Sequence, residues 1–148
     1  MYLISACLAG VHCRYDHSDK GIDKIKDLIK NQPSIIVCPE QIGGLTTPRP
    51  AAEISGGDGN DVLEGKARII NKAGEDVTDE FVKGALEALE IAEEYGVTKA
   101  ILKGRSPSCG CGQIYDGTFS GKKIDGDGVL AALLKKSGID VVTEDEFE

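Results

Sequence analysis

The sequence predicts an α/β fold, with helices on both faces of a mostly parallel sheet. Short apolar runs alternate with amphipathic stretches of helical spacing, as strand–helix–strand units require. The shortest runs are β-branched, as in Ser34-Ile35-Ile36-Val37, which favours strand over helix. With 148 residues, 41% hydrophobic and 28% charged, one core can form without disulfide or metal staples.

The elements follow in order. Residues 2–6 form the first apolar run. Ile22, Ile25, Leu28 and Ile29 share one helical face, opposite Asp23, Lys24, Lys26, Asp27 and Lys30, and Pro33 ends that helix. The strand over 34–37 comes next, then a Pro- and Gly-rich stretch over 39–65 that reads as a long loop. Structureless loops of that length are uncommon in compact domains and are often functional. Residues 67–70 and 76–77, with Gly74 between them, read as a small hairpin.

Thr78 can cap a helix whose first turn carries Asp79 and Glu80. Its predicted core stripe is Phe81, Val82, Ala85, Leu86, Leu89 and Ala92, with Gly96 as the stop. A strand over 99–102, a second Gly-rich loop over 103–127, a helix over 129–136 and a strand over 140–142 complete the chain. The expectation is a three-layer sandwich over residues 1–148, with a Rossmann-like sheet and a small hairpin. Right-handed crossovers then place the C-terminal ends of the main strands on one edge, where open α/β sheets bind ligands.

Charge and composition narrow the function. A net charge of −8 repels phosphate backbones, so extended nucleic acid is not an expected partner. No apolar run approaches a membrane span, and the short first run lacks a basic leader. The expected location is the cytoplasm. Five cysteines in a reducing compartment are thiols, and the odd count argues against a closed disulfide framework.

The placement of those cysteines carries the functional argument. Cys7 follows the first predicted strand, Cys38 follows the second, and Cys109 lies in the loop leaving the 99–102 strand. Three thiols distant in sequence thus converge on one sheet edge. Zinc sites favour four ligands at short paired spacings, which this chain lacks. Three thiolates with an open position suit a [4Fe–4S] cluster with one iron free to act as a Lewis acid. Cys13 and Cys111 each sit near a candidate ligand and read as spare thiols.

Further polar groups surround the thiols. Glu40, two residues beyond Cys38, is placed for general acid/base work. Ser106 and Ser108 offer hydroxyls before Cys109, and Arg49 lies in a stiffened Thr-Pro-Arg-Pro loop. Arg14 reads as a carboxylate partner. Gly43-Gly44 and Gly126-Asp127-Gly128 could cradle a phosphate ahead of a helix. No Walker or dinucleotide fingerprint is present, so nucleotide hydrolysis and hydride transfer fit poorly.

Three blocks of sequence resemble the thiouracil desulfidase family (TudS). The first is Ser5-Ala6-Cys7-Leu8 with Gly10, followed by Cys13-Arg14-Tyr15-Asp16. The second is Cys38-Pro39-Glu40 with Gly43-Gly44-Leu45 and Pro48-Arg49-Pro50. The third is Ser106-Pro107-Ser108-Cys109-Gly110 with the segment 114–121 and Gly128-Val129. The resemblance spans nearly the whole chain in order, with departures at His17 and Ala51. It implies a [4Fe–4S] cluster on Cys7, Cys38 and Cys109 and non-redox replacement of a thiocarbonyl sulfur by oxygen, with release of sulfide. It also implies Glu40 as acid/base, helped by Ser106 or Ser108, between which the sequence does not choose. Arg49, Gly43 and Gly44 are the substrate-contact candidates, and the expected partners are a small thiolated substrate and the iron–sulfur assembly machinery. A persulfide-forming sulfur carrier and a non-catalytic metal-binding protein are the alternative readings.

Overall fold

A computed structural model describes residues 1–12, 14–16 and 22–147. In chain order its elements are β1 (Tyr2–Ser5), a 3-10 turn over Ala6–Ala9, α1 (Asp23–Asn31), β2 (Ser34–Val37) and α2 (Pro39–Ile42). Next come β3 (Ala52–Ser55), α3 (Gly59–Leu63), β4 (Arg68–Asn71), α4 (Thr78–Glu94) and β5 (Lys99–Leu102). The chain ends with β6 (Gln113–Tyr115), β7 (Lys123–Asp125), α5 (Val129–Lys136) and β8 (Asp140–Thr143).

The main sheet has the order β2-β1-β5-β8, and every pairing in it is parallel. Alternation along each strand separates two apolar layers. Leu3, Val37, Ala100, Leu102 and Val141 join the core beneath α4 and α5, with Phe81, Ala85, Leu130 and Leu134. Ile4 and Ile101 face the other way and meet Ile25 and Leu8 under α1 and the 3-10 turn. The result is a helix–sheet–helix sandwich. Because the four strands run in one direction, their C-terminal ends form a single rim.

The hairpin is built from different residues than the pattern 67–70/76–77 suggests. β4 pairs antiparallel with β3, Ile54 opposite Ile69, and Asp76 contributes only an isolated bridge to Ile70. Residues 39–65 are therefore not a bare loop: they hold α2, β3 and α3. The stretch 103–127 likewise contains the antiparallel pair β6–β7.

Thr78 does not cap α4. Its amide donates to Asp76 Oδ1 at 2.9 Å, while its buried hydroxyl accepts from Ile69 N at 2.8 Å and ties the helix to β4. Leu86, expected in the core stripe, is 49% exposed, and Gly84 is buried on the inward face. There α4 meets α2 so closely that a Cβ on Gly84 would lie 1.8 Å from the Pro39 carbonyl oxygen. Only glycine permits that approach.

Candidate active site at the strand exits

Each strand of the main sheet delivers a polar or sulfur-bearing residue to the rim. Cys7 lies in the 3-10 turn after β1, and Cys38 directly follows β2, in extended conformation at the start of α2. Lys103 directly follows β5 and Glu144 directly follows β8. All four line one cleft of about 1000 Å³, together with Cys109 and Glu40.

The loop that carries Cys109 is held by the start of α5. Val129 N donates to Pro107 O at 2.8 Å and Leu130 N to Ser108 O at 2.9 Å. Those amides are the free donors of a helix N-terminus, so here they fix a protein loop and not an anion. Gly128 is needed for packing: a Cβ there would lie 2.5 Å from Ser108 O. The phosphate-cradle expectation for Gly126-Asp127-Gly128 is corrected on that ground.

Inside the loop, Ser106 Oγ accepts from Ser108 N and Cys109 N, both at 3.1 Å. With its acceptor side engaged, the hydroxyl proton is free to be donated elsewhere. Ser106 lines the cleft, whereas Ser108 is fully buried behind it. Ser108 Oγ has no partner of good hydrogen-bond geometry among the described residues, although its hydroxyl still acts weakly on the Cys109 thiol.

Cys109 is 5% exposed. Burial pushes its thiol up to about 12; the nearby Ser5 hydroxyl works against this, while Glu40 and Cys38 raise it further. Ser5, Cys38, Glu40 and Cys109 all line the same cleft. An unassisted Cys109 is a poor nucleophile, whereas a bound cation would hold the thiolate. Ser5 also accepts from Lys103 N at 3.0 Å, linking the β1 and β5 exits.

Glu40 stands in the cleft from the first turn of α2. Arg49 Nε donates to Glu40 Oε2 at 2.8 Å, and Nη2 donates to the same oxygen. Arg49 Nη1 bonds Thr46 O at 3.0 Å and Thr47 Oγ1 at 2.9 Å. Thus Arg49, a substrate-contact candidate from sequence, is bound to the carboxylate and to its own loop. Arg14 lies 3.8 Å from Asp16 and over the Tyr15 ring, as a carboxylate-paired arginine would.

Gly43 and Gly44 do not line the cleft. Gly43 ends α2 against α4, where a Cβ would sit 1.9 Å from Glu80 O, and Gly44 takes a turn at φ 99°. Gly43 is required by that close packing, whereas Gly44 serves its left-handed turn and faces open space, so neither is brought to the cleft as the substrate-contact expectation had it. Cys111 faces away from the cleft, its sulfur 3.6 Å from Val141 O. Cys13 and His17 lie outside the described residues.

Sequence reasoning missed Lys103 and Glu144, which form an ion pair of 2.8 Å with little exposure. Glu144 Oε1 also accepts from Gly104 N at 2.7 Å. The signal was available for Lys103, which directly follows the predicted 99–102 strand as Cys38 follows 34–37; Glu144 lies one residue further from the predicted 140–142 strand, and only the observed β8 end at Thr143 brings it to the rim.

The donor set can be tested against a metal group. Among the described residues no three His, Cys, Asp or Glu side chains meet at a point that would hold a single ion. Cys7, Cys38 and Cys109 line one cleft, and thiols are the donors an iron–sulfur cluster would take there.

A family model described as 2-thiouracil desulfurase matches residues 2–146. The uncharacterized protein YbbK of Bacillus subtilis (strain 168) is 51% identical over 147 residues, 99% of this chain and 97% of YbbK. The solved structure of a [4Fe-4S]-dependent thiouracil desulfidase, TudS, is similar at a TM-score of 0.87 and 40% identity, covering 99% of this chain and 91% of that one.

Proposed function

Because the chain belongs to the 2-thiouracil desulfurase family, we propose that it is a [4Fe–4S]-dependent enzyme removing sulfur from a small base like 2-thiouracil. The observation that carries the reading is the cleft itself: Cys7, Cys38 and Cys109 line it with Glu40 beside them. Three soft sulfur donors on one cleft are a donor set that would hold a cluster on those three residues. When bound, such a cluster supplies a Lewis-acidic iron with a coordination position open to the thiocarbonyl sulfur.

The protein's own groups supply the rest. Glu40 accepts a proton from the water that attacks the thiocarbonyl carbon. Arg49 holds that carboxylate by one oxygen, keeping it aimed into the cleft. Ser106, whose hydroxyl proton is uncommitted, orients the water or the substrate. The Ser5 hydroxyl favours the Cys109 thiolate, as groups surrounding a metal site do when they tune a ligand. The carbon exchanges its bond to sulfur for one to the water oxygen, and the protons of water leave with the sulfur as hydrogen sulfide. No oxidant or reductant is consumed.

The test is anaerobic reconstitution with iron and sulfide, followed by turnover of 2-thiouracil. The wild-type protein should gain the visible thiolate-to-iron absorbance and convert 2-thiouracil to uracil with release of sulfide. Cys7→Ser, Cys38→Ser and Cys109→Ser should each lose stable cluster binding, while Cys13→Ser and Cys111→Ser retain it. A full complement of iron in the first three variants defeats the ligand assignment.

A further inference from the structure

The cleft has a wall that the sulfur chemistry does not use. It comes from β3 and from the turn joining β6 to β7, which lie outside the main sheet. Phe119 lies in that turn and lines the cleft. Its backbone is at φ 57°, in the left-handed region, which L-residues rarely adopt and bulky ones least of all.

The strained position is held deliberately. Glu53 Oε1, from β3, accepts from Gly117 N at 3.0 Å and from Phe119 N at 3.2 Å. Gly117 lets the turn close down on that strand: a Cβ there would lie 2.6 Å from Ile54 O. A glycine at 119 would take this conformation without strain. A large aromatic residue in its place implies that the ring itself has a use. The surroundings agree: of the chain's seven aromatic residues, four Tyr and three Phe, Tyr15, Phe81, Tyr115 and Phe119 line this one cleft.

We propose that Phe119 is a specificity-determining residue, a flat apolar wall that selects planar aromatic heterocycles over non-aromatic thioamides. This rests on the desulfurase reading and names the shape of substrate it takes. Aromatic side chains bind bases through their faces with little regard for ring substituents. Phe119 therefore reads aromaticity, and recognition of the ring's polar edge falls to other groups.

The test compares reconstituted wild-type protein with Phe119→Ala, Phe119→Gly and Phe119→Tyr. Binding of uracil and of 5,6-dihydrouracil is measured by calorimetry; the two share a polar edge, but the second is neither planar nor aromatic. Wild-type protein should prefer uracil. The Ala and Gly variants should bind uracil roughly tenfold more weakly, with KM for 2-thiouracil rising in parallel, and lose the preference. Tyr should recover most of what Ala loses. Phe119→Gly should also keep or raise the melting temperature, because it removes the backbone strain. If Phe119→Gly melts lower and keeps the wild-type preference, the ring is structural and the inference is overturned. If wild-type holoprotein does not convert 2-thiouracil, the desulfurase reading itself fails.

Discussion

Two arginine–carboxylate pairs in this molecule share one Nε–oxygen distance and differ in their exposure to solvent. Arg49 Nε reaches Glu40 at 2.8 Å inside the cleft, with side chains 6% and 17% exposed. Arg68 Nε reaches Asp76 at the same 2.8 Å on the outer hairpin, with side chains 52% and 42% exposed. The Nε distance does not separate them; solvent does. Water screens the outer pair and solvates either member when the other leaves. The inner guanidinium has little water to fall back on, so losing its carboxylate strands a charge. The difference teaches where a salt bridge can hold a reacting group still and where it only decorates a surface.

The sharpest way to separate the pairs is to neutralise the inner carboxylate. Glu40→Gln preserves shape and removes the base. Turnover of 2-thiouracil should fall by about 10²–10⁴-fold, while the visible absorbance of the reconstituted cluster stays. A variant that keeps the wild-type rate removes Glu40 from the proton chemistry.

Next in size is the loss of the inner arginine. Arg49→Met leaves the Glu40 carboxylate without its anchor and frees the loop at Thr46 and Thr47. Unfolding stability should drop by about 2–3 kcal/mol, toward the low side for breaking a buried pair. kcat should fall roughly a hundredfold, as small misplacements of a catalytic group do, with KM changed far less. Adding Glu40→Gln to Arg49→Met should recover part of the stability and none of the rate. Additive losses of stability in that double variant would mean the two side chains are not coupled.

These two pairs also show what sequence can and cannot carry. The parallel sheet was legible because each strand is a short local run and each crossover helix has its own apolar face, as at Ile35-Ile36-Val37 and Ile25-Leu28-Ile29. The positions of Cys7 and Cys38 followed from those strands, since a residue after a parallel strand belongs to the rim. The same logic covers Lys103 and, with β8 ending at Thr143, Glu144, but an ion pair spanning 41 positions gives no local pattern to notice. β3 was hidden because Ala52–Ser55 sits in a Pro- and Gly-rich stretch and acquires its strand character from pairing with β4. Gly43 and Gly84 looked like loop and helix glycines; their function arises only where α2 presses on α4. Arg49 read as a substrate contact because its charge is visible in sequence, whereas its partner is chosen by the fold of the 46–49 loop.

The smallest expected effect belongs to the outer pair, where pH gives the cleanest measurement. The Arg68 guanidinium and the Thr78 backbone and side chain hold the Asp76 carboxyl down to about 2, from an ordinary 3.8. A depressed carboxyl stabilises the fold above its unfolded value, and the benefit disappears as pH falls through the folded value. Asp76→Asn should therefore lower stability at neutral pH by less than about 1 kcal/mol, since solvent screens so exposed a pair. The gap between variant and wild type in urea unfolding should be constant from pH 7 to about 5, shrink below about 4, and close near 2. Raising the ionic strength at pH 7 should narrow it as well. A gap of several kcal/mol, indifferent to salt, would place Asp76 in the same energetic class as Glu40 and dissolve the distinction between the inner and outer pairs.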